Sequence, residues 1–161
     1  MEEKKFQFEY EVYQDSAELN AADAELLTTA REVTQQAYAP YSGFFVGAAA
    51  RLSNGQTVKG TNQENASYPV GICAERVLLG NAATLYPNIS IDTLAISYNT
   101  KELKSDHPIS PCGMCRQALL EYEARTNQSI RLILSGQEGN VYILKSVGHL
   151  LPFAFKSDEL I

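Results

Sequence analysis

The sequence predicts an α/β fold, a sheet covered by helices. Stretches with apolar residues at helical spacing alternate with short strand-like runs, in the order β-α-β-β-α-β-α-β-β before a short tail. No internal repeat or linker-like composition interrupts the 161 residues, so they read as a single domain, 1–161. A chain of this length buries roughly 70% of its unfolded surface.

Each element has its own signal. Residues 6–13 alternate, with Phe6, Phe8, Tyr10 and Val12 on one face, and read as a strand within an N-terminal extension, 1–20. Asn20 is positioned to cap a helix running to about Tyr38, which Pro40 ends. Phe44–Leu52 reads as a strand, Ser53-Asn54-Gly55 as a hairpin turn accepting positive φ, and Gln56–Asn62 as the returning strand. A loop leads to a helix from about Cys73 to Leu85, closed by Pro87. Ile91–Tyr98 is an apolar strand. Pro111–Arg125 is a second cysteine-bearing helix, with Pro at its first position. Ile130–Leu134 and Val141–Leu144 are the last strands.

Composition narrows the partners. The formal net charge is -6, and no run of Lys or Arg is present, so a polynucleotide partner is disfavoured. The charged N-terminus, Met1 to Lys5, has no apolar run behind it, which predicts neither a signal peptide nor a membrane span and a cytoplasmic location.

Three cysteines is an odd count, against a disulfide framework. Cys112 and Cys115 are spaced C-x-x-C, and Cys73 lies upstream; all three fall where helices begin. Helix N-termini carry a partial positive charge that stabilises thiolates. Three thiolates can hold one zinc and leave its fourth position open for a water. Glu75, two residues after Cys73, is placed for general acid/base work on that water. Arg76 is placed to offset the excess thiolate charge. Asn62 and Glu64, two apart at a strand end, can face one small ligand; the same stretch also reads as a polar loop end with Asn65 as a turn residue. Of Phe44 and Phe45, adjacent on a strand, one faces the core and the other does not. His107 reads as a solvated loop histidine.

The spacing Cys73-x-Glu75…Pro111-Cys112-x-x-Cys115 is a form of the zinc-deaminase pattern. Ala37-Tyr38-Ala39-Pro40-Tyr41-Ser42 with Phe44 to Ala49, Asn62 to Tyr68, Cys73 to Arg76, Ser110 to Gln117, and Leu150 to Phe155 together resemble the cytidine deaminase family, in its small three-cysteine homotetrameric branch. The resemblance implies a three-layer α/β/α sandwich around a mixed sheet. It implies hydrolytic deamination of cytidine or deoxycytidine in pyrimidine salvage, with one Zn²⁺ per subunit held by Cys73, Cys112 and Cys115 and with Glu75 as proton shuttle. Asn62 and Glu64 would bind ribose hydroxyls, and Phe44 would pack against the nucleoside. Ala66, Tyr68 and Phe155 would reach a neighbouring subunit's site, while Arg76 and Gln117 would donate to the thiolates. Departures at residues 1–20, at Pro69 to Ile72 and at Val77 to Gly80 bear on specificity more than on the reaction. Rival readings are a deaminase of an antibiotic nucleoside such as blasticidin S, a nucleic-acid deaminase, which usually has His at the first ligand position and a basic channel, and a non-catalytic module whose zinc is closed by His107.

Overall fold

A computed structural model describes residues 1–160. It contains a six-stranded mixed sheet built from β1 (Tyr10–Tyr13), β2 (Phe44–Leu52), β3 (Thr57–Thr61), β4 (Ile91–Thr100), β5 (Arg131–Ser135) and β6 (Val141–Leu144). The strand order is β1-β6-β5-β4-β2-β3, and only β4 and β5 run parallel. Three helices cover it: α1 (Ala21–Val33), α2 (Ala74–Leu85) and α3 (Gly113–Thr126). The parallel pair is joined through α3, as a crossover connection requires.

Strand alternation divides the core into two. Ala48, Ala50, Leu94, Ile96, Leu132 and Leu134 face α2 and α3. Ala49, Ala95 and Ile133 face Leu26, Leu27 and Ala30 of α1. Successive strand residues point to opposite faces, so one continuous apolar run on each strand serves both layers. This is the predicted three-layer α/β/α architecture.

Glycine sets how closely the helices approach. Gly60 on β3 lies under Ala74 and Leu78 of α2, and Gly47 on β2 lies under Ala30, Val33 and Thr34. α2 is thereby seated directly on the sheet.

Several boundaries differ from expectation. The first helix stops at Val33, tightens into a 3-10 turn and is extended by Ala37. Tyr38 is drawn away from it because its backbone bonds both Asn62 and Glu64. β1 spans only residues 10–13, since its partner β6 has four residues and the chain beyond it turns away. In the Ser53–Gly55 turn only Gly55 takes positive φ; the Asn54 side chain accepts from Gln56 N instead. Pro111 lies outside α3, because Cys112 is the N-cap.

Candidate active site

The N-termini of α2 and α3 converge beside β2 and β3. Cys73 caps α2, Cys112 caps α3, and Cys115 lies in the first turn of α3. The helix starts are fixed from both sides. Gly60 lets α2 down onto β3, and Arg116 donates to Pro111 O (2.8 Å) and Leu150 O (3.0 Å), pinning the approach to Cys112. Arg116 was not singled out by sequence; its one signal is that it directly follows Cys115.

Cys73 Sγ lies 3.8 Å from Cys112 Sγ, and Cys112 Sγ lies 3.5 Å from Cys115 Sγ. All three cysteines are free, and their sulfurs lie within 4.8 Å of one another. A tetrahedral zinc with Zn–S near 2.3 Å spaces its sulfurs about 3.8 Å apart. The donor set, its soft chemistry and its spacing therefore fit one zinc per chain. His107 is outside this group. Its ring meets the Tyr98 hydroxyl at 3.2 Å and Asp106 at 3.1 Å.

The electrostatics agree with a metal site. The hydrogen bond from Cys115, supported by Cys112 and Arg76, pushes the Cys73 thiol down to about 5. Cys115 is pushed up by its partnership with Cys73 and by burial. Arg76 is pulled down by burial, but Cys73 outweighs this and holds its guanidinium charged. Its Nε is buried with no hydrogen-bond partner among the described residues. Burial raises the Glu75 carboxyl, which is 4% exposed.

A cavity of about 440 Å³ opens over the thiols. Its lining includes Phe44, Val46, Asn62, Glu64, Tyr68, Glu75, Arg76, Cys73 and Cys112. Phe44, not Phe45, is on this side. It stacks on the buried Tyr98 with ring centroids 5.0 Å apart, whereas Phe45 lies under Lys101. Asn62 splints β2: its Nδ2 donates to Phe44 O (2.9 Å), and its Oδ1 accepts from Val46 N (2.7 Å). The Glu64 carboxylate accepts from Tyr41 N (2.9 Å), Ser42 N (3.3 Å) and the Ser42 hydroxyl. These bonds hold it below the usual carboxylate range, led by the one from Ser42. Ser42 is a second residue that the sequence did not single out; it was visible only as part of the Ala37 to Ala49 stretch.

Three expected residues do not line this chain's own cavity, and for Ala66 and Phe155, expected at a neighbouring subunit's site, that is no departure. Gln117 Nε2 donates to Phe155 O at 3.0 Å, so Gln117 ties α3 to the C-terminal segment instead of donating to a thiolate. Phe155 lines a separate hollow against α3, and Ala66 is exposed outside the cavity lining.

The family model described as the cytidine and deoxycytidylate deaminase zinc-binding region matches residues 20–129. The chain belongs to this family. It is 35% identical over 137 residues to a cytidine deaminase of Halalkalibacterium halodurans, covering 84% of this chain and 95% of that one. It is 41% identical over 98 residues to a cytidine deaminase of Mycoplasma pneumoniae, covering 61% of this chain and 70% of that one. Among solved structures, the cytidine deaminase from Burkholderia pseudomallei superposes with a TM-score of 0.71 at 35% identity, covering 85% of this chain and 100% of that chain. The family membership accounts for the three-thiol cluster at paired helix starts. No helix among the described residues is long and apolar enough to cross a membrane.

Proposed function

We propose that the protein is a zinc-dependent hydrolase that deaminates free cytidine or deoxycytidine, giving uridine or deoxyuridine and ammonia. The observation that carries this is the joint placement of three thiols at zinc-ligand spacing and a buried Glu75, on a cavity that Asn62 and Glu64 also line.

Cys73, Cys112 and Cys115 would hold the zinc, which when bound supplies an activated water. Glu75 is not one of the clustered ligands, so it is free to carry protons. Its burial raises its affinity for a proton, which suits a group that accepts one proton from water and delivers it to ring N3, then takes the second from the hydroxyl added at C4 and delivers that one to the departing amino group. Arg76 balances thiolate charge. Phe44, braced by Tyr98, offers a flat face for the pyrimidine, and Asn62 and Glu64 supply polar atoms at the ribose end.

A free nucleoside suits the charge of this cavity. Arg76 is the one cation in its lining among the described residues, and it lies against the thiols. No second cation in that lining, among the described residues, is there to receive a 5′-phosphate. The exposed Ala66, Tyr68 and Phe155 are assigned to contacts with a neighbouring subunit of a homotetramer, and the enzyme is assigned to cytoplasmic pyrimidine salvage. A panel of cytidine, deoxycytidine, CMP and blasticidin S, followed by ultraviolet absorbance, tests the reading. The two nucleosides should turn over and CMP should not; faster turnover of blasticidin S than of cytidine would overturn it.

A further inference from the structure

β1 ends the sheet; among the described residues β6 is its only strand neighbour and its outer edge is unpaired. Such edges template pairing with another chain unless shortness, charged side chains, Pro or a bulge blunts them; β1 is itself short, and the charges along the segment are ones that a self-complementary contact can pair. Residues 4–13 contain neither Pro nor Gly. The face that carries Phe6, Phe8, Tyr10 and Val12 is 40–55% exposed at each of them. Phe8 is anchored by stacking on His149 (centroids 5.4 Å), and Tyr10 packs on Tyr142 (5.2 Å), so the stripe is held against its own subunit with its outer side open. Charge is distributed along the same segment with polarity: Lys4 and Lys5 at one end, Glu9 and Glu11 at the other.

We propose that this edge is a self-association surface. It pairs antiparallel with the same edge of a second copy of the chain, about a two-fold axis at Phe8. An isologous contact must be self-complementary, and here one register is. With Phe8 opposite Phe8, Phe6 faces Tyr10, Lys4 faces Val12, Lys5 faces Glu11, and Gln7 faces Glu9. Opposed residues share a face of the sheet, so the aromatic stripe becomes continuous across the axis. Moving the axis to Gln7 opposes Glu3 to Glu11, and moving it to Glu9 opposes Glu9 to itself. Placing it between residues sets the apolar face against the charged one. The segment before Tyr10, which β6 is too short to pair, gains a strand partner in this arrangement.

The contact does not depend on the reading of the metal site, and its test does not use turnover. Light scattering of the zinc-loaded full chain should give an even multiple of 17.7 kDa. Phe8→Asp, which sets two carboxylates face to face on the axis, should halve that mass. Lys5→Glu and Glu11→Lys, each at an exposed position, should each halve it as well, and the double swap should restore it. Far-UV circular dichroism checks that the variants stay folded. A monomeric parent, an unchanged mass for Phe8→Asp, or a double swap that fails to restore the parent mass overturns the proposal. A tetramer held only by other surfaces gives the unchanged mass.

Discussion

Replacing Gly60 with Ala tests whether the seat of α2 on β3 sets the active-site geometry. A Cβ at Gly60 would lie 2.5 Å from Leu78 N and 2.9 Å from Leu78 Cα, both backbone atoms that cannot rotate away. Ordinary contact begins near 3.5 Å, so α2 must withdraw by roughly 1 Å. Overpacking of this kind costs about 1–3 kcal/mol. The displaced helix carries Cys73 at its cap and Glu75 in its first turn, and a misplacement of about 1 Å can lower turnover by about 100-fold. Urea denaturation, zinc content and the absorbance change of cytidine read the three effects separately. Gly47→Ala is the matched control: it pushes on α1 across the opposite face, with Val33 Cγ1 at 2.8 Å. It should cost similar stability while sparing kcat/KM of the folded protein. If Gly60→Ala keeps parental stability and turnover, α2 is not seated as described, and the geometric argument fails.

Three further outcomes are expected. Glu75→Gln should retain zinc but lose turnover by about 10²–10⁴-fold, the usual scale for a general acid/base; metal analysis beside the cytidine assay checks both, and near-parental turnover would remove Glu75 from the chemistry. Cys112→Ala should lose zinc and melt at lower temperature, whereas full metal occupancy would remove Cys112 from the ligand set. Asp23, 2% exposed, accepts from both Arg131 terminal nitrogens at 2.7 and 2.8 Å. Burial alone would raise its carboxyl, but Arg131, Asn20 and Arg51 together hold it below the usual range. A depressed carboxyl stabilises the fold above its unfolded value of about 3.9, and that contribution is lost as pH falls through the folded value. Asp23→Asn should therefore cost about 3 kcal/mol at neutral pH, with a deficit that shrinks below about pH 4; a pH-independent deficit in urea titrations would contradict this.

The sequence carried the order of elements and the ligand set because both rest on local signals. Period-2 and helical apolar patterns located every strand and all three helices, and the C-x-E and P-C-x-x-C spacings located the metal ligands. What it missed depends on long-range partners. The Phe6–Tyr13 alternation is present, but strand length follows β6, which lies over a hundred residues away in the chain. The end of α1 is set by bonds from Tyr38 to Asn62 and Glu64, not by Pro40 alone. Gln117 was assigned to the thiolates from its motif position, while its amide reaches the Phe155 carbonyl, a contact that no local pattern encodes. Asn62 and Glu64 were read as ligand-facing groups; the structure adds that they also hold residues 41–46 in place, Glu64 through Tyr41 and Ser42 and Asn62 through the Phe44 and Val46 backbone. The choice between Phe44 and Phe45 needed the sheet, because register alone decides which face meets the cavity.

Cytidine turnover measured before zinc removal, after it, and after zinc is returned tests the central claim most directly. The account predicts that turnover disappears with the metal and returns with one zinc per chain. Undiminished deamination by protein shown to be free of metal would contradict it.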